Sequence, residues 1–355
     1  MRSLLIVGLA FIVGVLLTLA VADKPVARSA GASMIMAGAS PVAAASGGLA
    51  AVSSVSSEVE DSAADSEQAW PGNAPSPEQV LYAQPGMVRN ALSQLTPRVP
   101  DTPNLYVLAF AGDGGEDVFG NEADYISRMF AQRFGATTHT IILANNPRSL
   151  LTRPLASWSN LEAALDGLAN VMHPQEDILL LYMTTHGDEE HNLLVDMGPL
   201  PLDQIGATDL AGILGKHALK WKVVVVNACY SGGFIPALRG AGTLVLTSAR
   251  ADRSSFGCGS DSEITYFGKA WLVDGLNQTP DFIDAFKLAS REIAAWESKD
   301  NLTASEPQIS TGAGIATQLA LWRRGITSGP AVAFKPARPV RSPVAEQKLD
   351  TSTKR

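Results

Sequence analysis

Five short runs of this chain are apolar without alternation, and that restricts the fold more than any other feature. They lie at 105–110, 140–143, 178–183, 223–227 and 243–247. A strand with one wet face alternates apolar and polar side chains. A run that stays apolar at successive positions reads as a strand covered on both faces. Helical spacing fills the gaps. Ile126, Met129, Phe130 and Phe134 make one stripe, and Leu161, Leu165, Leu168 and Met172 another. Leu210, Ile213 and Leu214 make a short stripe; Phe282, Phe286, Ala289, Ile293 and Trp296 make a long one after Pro280. These stripes read as core faces rather than binding surfaces. The segment Ser159-Asn160-Leu161-Glu162 has the capping-box pattern and sets a helix start there. Strand and helix in alternation predict an α/β fold, a mostly parallel sheet with helices on both faces.

The two ends of the chain read differently. Arg2 precedes an apolar stretch from Leu4 to Ala22, and Ala20-Val21-Ala22 fits the small-residue rule for signal cleavage. The stretch also suffices for one membrane-spanning helix of ~20 residues. Residues 1–22 are therefore expected to be a cleaved signal peptide or an uncleaved anchor, with membrane attachment through residues 4–22 in the second case. Either one exports the remainder, to the periplasm or to the periplasmic face of an inner membrane. Residues 23–100 are dominated by Ala, Ser, Gly, Pro and Val, a composition too poor in large apolar side chains to offset chain entropy. They are expected to form a disordered tether. Residues 326–355 carry Pro330, Pro336, Pro339 and Pro343 among basic residues and are expected to be a disordered tail. That leaves one domain over 101–325. The net charge of −8 is spread along the chain, which argues against nucleic acid as a partner. Two cysteines, Cys229 and Cys258, allow at most one disulfide and exclude a four-thiolate zinc site. No metal and no cofactor are expected.

The chemistry lies at the ends of two strands. The run 178–183 leads into Thr185-His186-Gly187, and the run 223–226 leads into Asn227-Ala228-Cys229-Tyr230-Ser231-Gly232. In an open α/β sheet the carboxyl edge of the strands is where ligands bind. A thiol and an imidazole delivered there read as a nucleophile and its proton-transfer partner. The interval between them has room for one crossover, so their strands can be neighbours. The turn after Cys229, through Ser231-Gly232-Gly233 into a helix, would favour a thiolate. The Gly187 and Cys229 amides are candidates for an oxyanion hole, and Gly187 would leave room for a substrate carbonyl. Cys258 is read as structural, and Asp188-Glu189-Glu190 as a solvated acidic loop.

These motifs resemble the legumain-type cysteine peptidases, peptidase family C13, relatives of the caspases and of the GPI-anchor transamidase catalytic subunit. The likeness extends over roughly 104–322. It includes Ala111-Gly112-Asp113-Gly114-Gly115 through Glu122-Ala123-Asp124, and Thr247-Ser248-Ala249 through Ser254-Ser255-Phe256-Gly257-Cys258. The resemblance implies a three-layer, caspase-like α/β/α sandwich. It implies a His186–Cys229 dyad, a polypeptide substrate, and Asp261, Asn227 and Ser248 at the substrate pocket. The chain departs from the family pattern at three positions. Gly120 stands where legumains place an arginine that binds an asparagine side chain. Asn227 stands where they have an acidic residue. Gly114, next to Asp113, stands where they have an asparagine beside the histidine. Strict asparaginyl specificity is therefore not expected, and Asp261 would favour a basic or small polar residue. Arg250 and Arg253 are either parts of a rebuilt pocket or solvated loop charges.

Three other readings accompany the hydrolase. They are a transpeptidase on the same dyad, a binding module that kept the fold without catalysis, and a metal site from His186, Asp188 and His191.

Overall fold

The apolar runs become strands of one sheet, and all but β7 are longer than their apolar stretch. The computed structural model describes residues 70–337. In chain order the main elements begin with helix α1 (Pro77–Ser93), β1 (Leu105–Ala111), α2 (Asp117–Arg133), β2 (Thr138–Ala144), α3 (Trp158–Val171) and β3 (Ile178–Thr184). A two-residue ladder, β4 (Asn192–Leu193) with β5 (Ile205–Gly206), precedes α4 (Ala207–Gly215) and β6 (Trp221–Asn227). Then follow the short α5 (Ile235–Leu238), β7 (Thr243–Thr247), a π-helix (Gly268–Gly275) running into α6 (Leu276–Gln278), α7 (Phe282–Lys299), β8 (Gln308–Thr311) and α8 (Ile315–Arg324).

The six-stranded sheet has the order β2-β1-β3-β6-β7-β8. All pairings are parallel except β7 with β8. Period-two geometry sends alternate side chains of each strand to opposite faces. From β1, Leu105, Val107 and Ala109 enter the core under α2, the π-helix, α7 and α8. Tyr106, Leu108 and Phe110 enter the core under α1, α3 and α4. This is the expected α/β/α sandwich. β8 has only Ile309 as a large apolar residue and was invisible to an apolar-run criterion.

Three expectations need correction. The tether does not run to residue 100. Ser76 caps α1 through a capping box with Gln79, and Val80, Gln84 and Val88 form its buried face. Pro85 inside the helix masked it in the sequence, because proline removes a backbone donor and disfavours a helix interior. The tail does not begin at residue 326. Asn277 brackets Val332, accepting from its N–H at 2.8 Å and donating to its carbonyl at 2.9 Å. Phe334 meets the Tyr125 ring edge-on. Third, α3 is capped by Ser157, whose hydroxyl accepts from the Asn160 N–H, two residues ahead of the expected capping box. No helix among the described residues is long and apolar enough to cross a membrane. The expected signal or anchor at 1–22 lies outside the described residues.

Gln84 joins α1 to the domain. Its Oε1 accepts from the Leu155 N–H and from the Asn160 amide, each at 2.8 Å. Gln84→Ala removes the acceptor of two buried donors and should cost about 1–3 kcal/mol in urea unfolding. A chain beginning at residue 101 should unfold at lower urea than one beginning at residue 70. Equal midpoints would show that α1 contributes nothing.

Candidate active site

Parallel register places the chemistry. Ala111 of β1, Thr184 of β3 and Asn227 of β6 lie side by side, Ala111 paired with Thr184 and Thr184 with Asn227. Two residues beyond these positions come Asp113, His186 and Cys229. Three adjacent parallel strands thus deliver a carboxylate, an imidazole and a thiol from the same level of the sheet edge. The Thr185 N–H extends the pairing by donating to the Asn227 carbonyl at 3.2 Å. A Cβ on Gly187 would lie 2.4 Å from the Cys229 carbonyl oxygen, so the backbone after His186 presses against that of Cys229 and requires glycine there.

Past His186 the chain folds into a hairpin. The Leu194 N–H donates to the His186 carbonyl, and the Asp188 N–H to that of Asn192. Gly187 faces Leu193 between these two bonds, at a position whose own N–H points away from the ladder. Among the described residues neither the Gly187 nor the Cys229 N–H donates a backbone hydrogen bond. The acidic residues of this hairpin are not simply solvated. Asp188 closes the turn by accepting from the Asn192 N–H at 2.8 Å, and Glu189 accepts from the Tyr230 hydroxyl at 3.2 Å. Tyr230 adopts the left-handed conformation, φ +56, immediately after Cys229. That conformation is uncommon for a bulky residue and marks a backbone held by its surroundings. His191 packs its ring over Gly233 rather than turning toward His186. Among the described residues no group of three metal-ligating side chains assembles, which removes the basis for a His186–Asp188–His191 metal site.

The thiol is activated by a loop. The helix after Cys229 is only a 3-10 turn (Ser231–Phe234) leading into the four residues of α5. Such a short element has little dipole to offer. Instead the segment 254–258 wraps the sulfur. The Ser255 N–H donates to Cys229 Sγ at 3.3 Å, and the Ser255 hydroxyl lies 3.7 Å away. A hydrogen bond from the Cys258 thiol is the largest influence on Cys229, and with Ser255 and Ser254 it draws the Cys229 thiol down to about 5 against the opposing effect of burial. The same contact, joined by burial, pushes the Cys258 thiol up. Cys258 is thus a neighbour of Cys229 rather than a remote structural cysteine.

Two of the residues expected at the substrate pocket are buried beneath it. Asn227 is 1% exposed, and its amide lies among Glu122 Oε2 at 3.0 Å, Thr265 Oγ1 at 2.9 Å and the Tyr182 and Thr184 hydroxyls. Ser248, also 1% exposed, accepts from the Ala228 N–H and donates to the Ala228 carbonyl, both at 2.9 Å. Both therefore brace the strand end that carries Cys229. Asp261 is exposed on the turn 259–262. Arg250 is committed on the surface to Asp252 and Glu306, so it lines no pocket. At position 120 a Cβ would lie 2.7 Å from Asn146 Nδ2, so Asn146 occupies part of the space an arginine would need.

Reading the sequence missed Glu122, whose fully buried carboxyl underlies the site. It accepts from Tyr182, Asn227 and both the N–H and hydroxyl of Thr265. Burial raises its pKa, and these donors oppose the rise. It also missed the roles of Asp113 and Glu116. Counting equal steps beyond the three strands would have singled out Asp113; nothing local in the sequence marks Glu116.

A parallel sheet covered on both faces thus carries an imidazole and a thiol two residues beyond the ends of adjacent strands. Residues 160–316 match the model of the Peptidase C13 family, which supports a function of the cysteine-peptidase type. No curated protein matches the chain. His186, Cys229 and Cys258 lie within the matched segment; Asp113, Glu116, Gly120 and Glu122 precede it.

Alkylation of Cys229 by iodoacetamide should reach half its plateau rate near pH 5, because only the thiolate reacts and its pKa is lowered from 9.0 to about 5. The rate should then stay flat through neutrality. Cys258→Ala removes the main donor and should move that midpoint upward. A wild-type midpoint in the ordinary thiol range of about 8–9 would contradict this account.

Proposed function

We propose that the chain is a cysteine endopeptidase that cleaves polypeptides through an acyl-enzyme on Cys229, with His186 transferring the protons. The observation that carries this reading is the common register of β3 and β6, which brings His186 and Cys229 off adjacent strands at one level. The Cys229 thiolate attacks the scissile carbonyl carbon, and the carbonyl electron pair moves onto oxygen. The Gly187 and Cys229 N–H groups are the donors proposed to receive that oxyanion. Collapse expels the amine, which takes a proton from His186, and leaves a thioester. His186 then removes a proton from water as the water attacks the thioester, and Cys229 departs as the thiolate.

Cys229→Ala and His186→Ala should each lower kcat/KM by about a thousandfold or more while leaving the unfolding transition in place. The double variant should be no worse than either single one, since the two groups share one step. Additive losses would separate them and defeat the dyad.

The proposal includes specificity and location. The cavity at Gly120 is lined by Arg148 and Arg153, but these are ion-paired to Asp117 and Asp124, and Asn227 is engaged beneath the site, so a buried asparagine side chain would lack the partners legumains offer. Matched peptides with Asn, Asp, Arg, Lys or Ala before the scissile bond should show an Asn preference below about a hundredfold. A larger preference would refute this specificity. Arg2 and the apolar stretch 4–22 support export, as signal or anchor, to a periplasmic location.

A further inference from the structure

Two carboxylates stand against the same nitrogen of His186. Asp113 Oδ2 is 3.5 Å from His186 Nε2, and Glu116 Oε2 is 3.8 Å from it. They come from different places: Asp113 from the end of β1, Glu116 from the N-cap position of α2. Both distances are ion-pair distances rather than hydrogen bonds, and contacts of this kind tighten when substrate excludes water.

Glu116 gives the independent sign that this arrangement is built. At a helix N-cap a side chain ordinarily accepts from the first-turn N–H groups. Glu116 makes no such bond. Its Oε2 is buried and has no hydrogen-bond partner among the described residues. An acceptor buried in this way costs about 1–3 kcal/mol, more when charged, so it calls for a compensating charge. The imidazole of His186 is the basic group it faces. Asp113 is 6% exposed, and its other oxygen accepts from the Gly115 N–H at 2.8 Å, which orients Oδ2 toward the ring. The Phe119 ring meets the imidazole edge-on at 5.1 Å and bounds its other side.

We propose that Asp113 and Glu116 are positioning residues that hold His186 through Nε2 and stabilise its protonated form, leaving Nδ1 to exchange protons with the thiol, the leaving amine and water. This rests on the dyad reading above and adds what keeps the imidazole charged as a general acid. Asp196 acts on Asp113, and Asp188 with its acidic neighbours shares the hairpin of His186. Cys229 as a thiolate adds to them. Burial raises the carboxyls of both Asp113 and Glu116, and the charge of His186 opposes that rise for each.

The test uses isosteric amides, which keep shape and remove charge. Asp113→Asn and Glu116→Gln should each move the alkaline limb of the kcat/KM profile downward, and the double variant should move it further, because an opposite charge within about 4–6 Å favours the charged form of its partner. A merely structural role would lower the plateau and leave the limb in place. Separately, the His186 imidazole should be titrated by NMR in full-length protein, its signals assigned with His186→Gln. The proposal expects its midpoint to fall in both amide variants. If the NMR midpoint falls but the kinetic limb does not, the carboxylates hold the ring as proposed and the dyad reading fails instead. If the NMR midpoint stays in place in both variants, the proposal is overturned whatever the activity.

Discussion

The buried carboxyl of Glu122 is the interaction on which the site depends. Putting a carboxyl out of reach of water is costly unless donors surround it. Here the donors come from β3, from β6 and from Thr265 in the segment leading to the π-helix. One group on α2 therefore fastens the strands that carry His186 and Cys229 to the end of the segment that carries Ser255 and Cys258. A Cβ on Gly268 would fall 2.1 Å from its Oε1, so the π-helix can approach this carboxyl only through a glycine. The arrangement holds the strand ends that lead to His186 and Cys229 in place from beneath.

Activation of the thiol is a matter of tertiary placement. A long helix beginning at the nucleophile would have supplied a dipole, but the chain offers only a 3-10 turn and four residues of α5. The donors come instead from the loop after β7, which folds back over the sulfur through Ser255 and Cys258. The histidine is served from the opposite side, by the loop after β1 and the start of α2. Acids gather on the imidazole and uncharged donors on the thiol.

The fold was legible where physics acts locally. Runs such as Leu179-Leu180-Leu181 and Val223-Val224-Val225 need cover on both faces, so a sandwich followed from them directly. β8 escaped because it is a half-exposed antiparallel edge with a single large apolar residue, and α1 escaped because Pro85 and a polar composition disguise three side chains on one face. His186 and Cys229 stood out in the sequence because each follows an apolar run, and the register of β3 and β6 places them at one level. Asn227 and Ser248 were assigned to the pocket by family likeness, and burial moves them beneath it.

By itself, the sequence determined the three-layer architecture and the level at which strands deliver reactive groups, because hydrophobic pattern and strand length are properties of neighbouring residues. It could not say which long-range partners each reactive group meets. That Cys258 touches Cys229, that Glu116 forgoes capping α2 to face His186, and that Glu122 lies under Asn227 are contacts between segments far apart in the chain. Only the packing of loops at one sheet edge decided them. No local propensity records such packing, since its energy comes from burying polar groups that satisfy one another only once the whole sheet is assembled.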